Sequence, residues 1–200
     1  DYLTFLVPGL AMMSLLQNSF ANTSSSLAQS KMMGNIVFIL LTPISHHALF
    51  AAYISAACLR GLLVASGVII ASMFFVSVPI SNIFYILFFG ICGSVILGSL
   101  GLIAGIWADK FDQVAAFQNF VILPMTFLSG VFYSVDSLPP LWQMISHANP
   151  FFYLIDGFRA GFFGRSDVPI EISICVVSLV SLFLSLGCLS LIRSGYKLRG

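Results

Sequence analysis

Charged residues punctuate this chain. None falls between Tyr2 and Ser30, Lys31 stands alone, the next charge is Arg60, and residues 61–108 are uncharged throughout. That last stretch is too long for one membrane crossing, and Val78-Pro79-Ile80-Ser81-Asn82 offers a turn near its middle. Asp109-Lys110-Phe111-Asp112 forms a polar hinge, and residues 113–135 and 172–192 are again free of charge. A helix needs about 20 residues to cross a bilayer. The pattern therefore predicts crossings at 3–24, 48–75, 82–107, 114–134 and 171–192. The apolar runs are continuous rather than alternating, which predicts helices and not barrel strands.

Composition supports this reading. Apolar residues make up 59% of the 200 residues and charged residues 8%, with a mean hydropathy of +1.05. Soluble domains carry about 25% charge, and a soluble fold of this length could not hide so much apolar surface. The composition excludes a soluble enzyme and a secreted disulfide scaffold. A net charge of +1 gives no basic patch for nucleic acid. Cys58, Cys92, Cys175 and Cys188 are scattered without C-x-x-C spacing and read as small packing residues. The chain begins at Asp1, and its first apolar run lacks a basic lead and a small-residue cleavage site. It reads as lacking an N-terminal portion.

Five crossings place the two ends on opposite sides. One face collects Lys31, Lys110, Arg193, Lys197 and Arg199. The other collects Arg159 and Arg165 with Asp1, Asp136, Asp156, Asp167 and Glu171. The positive-inside rule then predicts a cytoplasmic C-terminus and an outer Asp1.

Two segments do not fit a plain crossing. Residues 25–47 open on serines and Lys31, become apolar and stop at Thr42-Pro43, since proline ends a helix at or before the residue preceding it. They read as a short interfacial or docking helix, or as an ordinary loop. Residues 129–164 carry Pro139-Pro140, which starts a short helix, and Asn149-Pro150, which breaks it. Phe132, Tyr133, Trp142 and Tyr153 stand among many aromatics there, and rings favour the membrane–water boundary. This predicts two helices over 135–164, lying in or re-entering the outer leaflet, or else an aromatic belt. Asp156 and Arg159, three apart, can face each other on one helix side.

Other candidates carry less. Arg60 falls mid-span, where an arginine costs about 2.5–3.5 kcal/mol, so it should face protein or water as a structural, gating or substrate-contacting residue. Gly90, Ser94, Gly98, Gly101 and Gly105 form small-residue stripes for close helix packing, inside one subunit or at a dimer face. Gly157 and Gly161 share that spacing outside a predicted crossing. His46-His47 sits at the cytoplasmic boundary as a poor metal pair. An intramembrane serine hydrolase lacks a histidine inside a crossing, and there is no G-x-x-x-x-G-K-[ST] loop. Any ATP used must bind another chain.

The outer segment resembles the signature region of the ABC-2-type transporter permeases. A hydrophobic-small stretch at 122–131 precedes Leu138-Pro139, followed by Pro150-Phe151-x-Tyr153 and then Arg159. Tyr2, Phe5 and Leu6-Val7-Pro8-Gly9-Leu10 resemble that family's second crossing, and the nearest likeness is to bacterial inner-membrane permeases related to polysaccharide, Nod-factor and drug exporters. The resemblance implies an all-α, multi-pass protein with five of six crossings present, in one transmembrane domain over 1–200. It implies a permease of an ATP-driven exporter: a homodimer in the bacterial inner membrane, in contact with lipid, with ATP and magnesium held by a separate ATP-binding subunit. It makes residues 25–47 the coupling element, with Lys31, Asn35 and Pro43 as its candidates. The helices over 135–164 become an outer gate, with Phe132, Tyr133, Trp142, Tyr153, Asp156 and Arg159 on the substrate path. Relatives often carry acids in the coupling element and residues 34–40 have none, so docking there would rest on Lys31, Asn35 and apolar contact. On this reading Lys31→Glu uncouples ATP hydrolysis from export. A lipid-linked glycan, a lipid or an apolar drug suits the aromatics equally. The rival reading is a membrane structural or assembly protein with no transport.

Overall fold

The computed structural model describes residues 2–197, with the Asp136 side chain outside what is described; Asp1 and Arg199, two of the charges behind the expected orientation, also lie outside. The described residues fold as α-helices with no strand. Four are long and apolar enough to cross a membrane: α1 (Tyr2–Met32), α3 (His46–Met73), α4 (Ile83–Trp107) and α9 (Ile170–Ser194). The short α2 (Ile36–Leu41) joins α1 to α3.

α4 is the hub, packed against α1, α3, α9 and the later α8 (Pro150–Phe163). Its small residues make this possible. A side chain at Gly101 would meet the Phe20 carbonyl oxygen at 2.5 Å, one at Gly93 the Met12 methyl at 2.5 Å, and one at Gly98 the Ile54 side chain at 3.0 Å. The stripe thus serves packing inside one chain. Hydroxyls pin the seam: Ser19 Oγ donates to the Ala57 carbonyl at 3.2 Å and pairs with Ser94 Oγ at 3.2 Å, and Thr23 donates to the Gly98 carbonyl at 2.8 Å. α3 and α9 bury only narrow strips, such as Ile54, Ala57, Gly61 and Ala65 on α3.

The predicted crossing at 114–134 is the main correction. It is a broken pass: α5 (Phe111–Phe117), one wide turn at Gln118–Ile122, then α6 (Leu123–Phe127). Pro124 has no N–H for the helical ladder and crowds the preceding turn, and a widened turn absorbs the misfit. This pass still runs from one end of the bundle to the other. Asp109, just before it, meets Lys31 at 3.4 Å, and Val131, just after it, lies against Gly9. At the other crossings the expectation and the helices agree within a few residues, except that α1 runs on to Met32. Ser25 to Met32 therefore continue the α1 helix, and the chain first breaks after Met32.

Candidate functional site

The broken pass ends in a turn, with Gly130 at φ +79°, where a side chain would be strained. The carbonyls that its last residues leave open are taken by side chains from the segment that follows. Tyr133 Oη donates to the Phe127 carbonyl at 3.2 Å, Ser146 Oγ to Leu128 at 3.0 Å and Asn149 Nδ2 to Met125 at 2.6 Å. Arg159 Nη2 donates to Gly130 at 2.7 Å and more weakly to Val131 at 3.5 Å. A cation at a helix C-terminus also meets the negative end of its dipole. Ser146 ends the short α7 (Pro140–Ala148), and Asn149 caps α8 by accepting from the Phe151 N–H at 3.0 Å. Sequence reasoning missed both as anchors; the signal was Asn149 before Pro150, read there only as a breaker.

α8 is buried along nearly its whole length, including Phe151, Phe152, Phe158 and Phe162. These rings are core, which corrects the aromatic-belt alternative for α8. The exposed face belongs to α7, with Leu141, Trp142, Met144 and Ile145. Phe132 and Tyr133 are half-buried beside the Arg159 anchor. Tyr153 donates to the His147 carbonyl at 2.9 Å on the α7 side. Trp142 and Tyr153 therefore stand apart from the Arg159 cluster.

Asp156 and Arg159 are 2% and 6% exposed, yet no ion pair joins them among the described residues. Asp156 Oδ1 accepts from the Asp167 N–H at 2.9 Å. Arg159 lies 3.9 Å from the centre of the Phe5 ring, a cation–π contact the sequence did not show. Both residues line a cavity of about 710 Å³, with Phe5, Ser81, Arg165 and Asp167, between the start of α1, the turn before α4 and the end of α8. Burial pushes the Asp156 carboxyl up to about 6, with the Asp167 charge adding to the rise, against the pull of backbone N–H groups and Arg159. Burial also presses the Arg159 pKa down.

A carboxyl raised in the folded state stabilises the fold below its unfolded pKa near 4, and that stability is lost as pH rises through about 6. The melting temperature of the purified protein should therefore fall as pH rises from about 4 to about 6.5. Asp156→Asn keeps the acceptor for the Asp167 N–H and should flatten that slope. An unchanged slope would place the titration elsewhere.

At the opposite end Lys31 turns inward. Its Nζ donates to the carbonyls of Ile106 and Ala108, both at 2.7 Å. Lys197 Nζ takes the Trp107 carbonyl at 3.1 Å, and both lysines hold Asp109, whose pKa their hydrogen bonds lower. Lys31 thus caps α4 and is not presented for docking. What faces outward is apolar: Met33, Val37, Phe38 and Leu41 around α2, with Asn35 and Pro43 also exposed. Lys31→Glu sets a carboxylate against three acceptors. It should lower the melting temperature more than Lys31→Gln, a result that differential scanning fluorimetry reads directly.

Arg60 is exposed on α3, and among the described residues its hydrogen-bond partner is Asn22 Oδ1, at 3.5 Å. Asn22 belongs to a stripe that sequence reasoning passed over: Ser14, Asn18, Asn22, Ser25 and Gln29 at three- and four-residue spacing along one incompletely buried face of α1.

A bundle of apolar crossings with a helical hairpin, α7–α8, at one end is a polytopic membrane protein. The chain belongs to the ABC-2 type transporter family, which matches residues 1–163. It is 40% identical to the inner membrane transport permease YadH of Escherichia coli (strain K12), over 100% of this chain and 78% of that protein. It is 26% identical to nodulation protein J of Sinorhizobium fredii, over 94% of this chain and 73% of that protein. It is also 25% identical to the probable multidrug ABC transporter permease YbhS of Escherichia coli (strain K12), over 88% of this chain and 47% of that protein. The chain is a membrane permease subunit of an ABC transporter and a multi-pass inner-membrane protein. It is not itself an enzyme, and it pairs with an ATP-binding subunit. The non-transport and hydrolase readings fall with that assignment.

Proposed function

We propose that this permease forms half of an export path in a homodimer, with its Lys31 end and C-terminus in the cytoplasm. ATP and magnesium are held by the partner subunit. The observation that carries this reading is the continuity of α1. One 31-residue helix, about 46 Å long, joins the docking helix α2 to Phe5, which lies against Arg159. Lys31 fixes its inner end to α4. A displacement at α2 is thereby delivered to the hairpin over the outer cavity. The two states must differ in their affinity for the ATP-bound partner, or no work is transmitted.

The polar stripe of α1 and the exposed Arg60 support a path face shared between two copies. An arginine left to lipid at mid-span costs about 2.5–3.5 kcal/mol, and a second copy or a hydrated path removes that cost. A polar stripe between apolar faces suits an amphipathic substrate.

Phe38 is 72% exposed on α2 and is the natural anchor for the partner. Phe38→Asp should reduce recovery of the ATP-binding subunit on purified permease about tenfold or more, with the permease still monodisperse. Undiminished recovery would remove α2 from the docking surface.

A further inference from the structure

We propose that the cleft between the start of α3 and the end of α9 binds the headgroup of an anionic phospholipid from the leaflet at the Lys31 end. The cleft, of about 480 Å³, is lined by His46, His47, Leu186, Leu189, Ser190 and Arg193. Two imidazoles, one guanidinium and one hydroxyl supply donors, and among the described residues no carboxylate lines it. Among the described residues none of the three basic side chains has a hydrogen bond or ion pair. The neighbouring Lys31 and Lys197 are already held by Asp109 and the α4 carbonyls.

The backbone adds to the same sign. Ser45 caps α3 by accepting from the Ala48 N–H at 3.1 Å, which leaves the first amides, of His46 and His47, without an acceptor among the described residues. The positive end of a 28-residue helix therefore opens beside the cleft.

Charge complementarity thus selects an anion, and the surroundings select its source. α3 and α9 are both membrane-crossing helices. Beyond the Leu186 and Leu189 floor, α9 exposes Phe183, Leu182 and Leu179 towards mid-span. A side chain at Gly187 would meet nothing, so the surface there is open. Acyl chains lie along such a face, and a phosphate on the same molecule arrives at the level of Arg193. With no carboxylate to receive an ammonium group, the cleft favours phosphatidylglycerol over a zwitterionic headgroup. Basic clefts between membrane helices are suited to such headgroups, and one arginine near the surface contributes about 1 kcal/mol, or about fivefold.

The test uses the full-length permease in mild detergent. Lipid retention is read by native mass spectrometry and the melting temperature during titration with phosphatidylglycerol, with phosphatidylcholine and inorganic phosphate as comparators. Phosphatidylglycerol should be retained and should raise the melting temperature, while the comparators do neither at equal concentration. Arg193→Gln should weaken the response about fivefold, and adding His46→Gln and His47→Gln, which removes the remaining side-chain donors but one, should weaken it further. Should the triple variant fail to fold, Ser190→Glu places a carboxylate in the cleft and should abolish the response alone. An equal response to phosphatidylcholine overturns the headgroup assignment. Reproduction by inorganic phosphate means a free-anion site and overturns the lipid assignment. Wild-type affinity in the triple variant or in Ser190→Glu removes the cleft from lipid binding.

Discussion

Gly157→Ala should leave almost no folded permease. Gly157 faces Phe89 where α8 crosses α4, and a Cβ there would lie far inside van der Waals contact of Phe89 Cζ and both Cε atoms. That ring is fully buried and held edge-on by Phe88, with centroids 5.2 Å apart at 88°. It cannot swing away without displacing its neighbours. One turn on, the Gly161 carbonyl accepts the Ser81 and Asn82 N–H groups at 3.0 and 2.8 Å, so α8 cannot slide without losing the start of α4. Overpacking costs about 1–3 kcal/mol where the core can yield, and this site should cost at least about 3 kcal/mol because it cannot. Yield of monodisperse protein and its melting temperature are the readouts. Phe89→Ala removes the obstacle. The double variant should therefore be more stable than the two single losses combined would allow, with a coupling of at least about 1 kcal/mol. Strict additivity would show that the two residues do not meet.

Arg159→Ala should abolish export while the ATP-binding subunit stays attached. The substitution removes the donors to the Gly130 and Val131 carbonyls and the cation against Phe5. It also removes the nearest positive charge from buried Asp156. Leaving buried polar groups unmatched costs about 1–3 kcal/mol each, so a loss of about 2–4 kcal/mol is expected. Arg159→Lys should restore little, because one ammonium cannot serve both carbonyls and the ring in a planar fork. The damage lies at the opposite end of α1 from α2, so partner recovery should stay within twofold of wild type. If the partner is lost together with export, Arg159 holds the whole fold and not the outer hairpin alone.

The crossings were legible because charge is costly in the bilayer, and its absence marks the spans directly. The break at Gln118–Ile122 was not legible, because a widened turn changes backbone geometry and leaves hydropathy untouched. The small-residue stripe on α4 could be read as packing, but α8 could not be placed. Phenylalanines at an interface and phenylalanines in a core give the same composition, and only contact with Phe89 and Ile86 separates the two. The Gly157–Gly161 spacing was the available hint.

Of the candidate site, Arg159 and Asp156 came together in one cavity, but as separate anchors and not as a pair. Lys31 turns inward onto the end of α4, where a docking role had suggested an outward side chain. A lone lysine at the end of a helix reads as exposed, and its partners, the last carbonyls of α4, are far away in sequence. The stripe from Ser14 to Gln29 was present in plain spacing and was obscured by the absence of charge.

On this reading the ATP-binding subunit docks on α2 at the Lys31 end, while the α7–α8 hairpin closes the opposite end. Photo-crosslinking tests it most directly, with a crosslinking side chain placed at Phe38 in one sample and at Trp142, 46% exposed on α7, in another. A crosslink is expected from Phe38 to the ATP-binding subunit and none from Trp142. A crosslink from Trp142 with none from Phe38 would reverse the orientation and contradict the coupling route through α1.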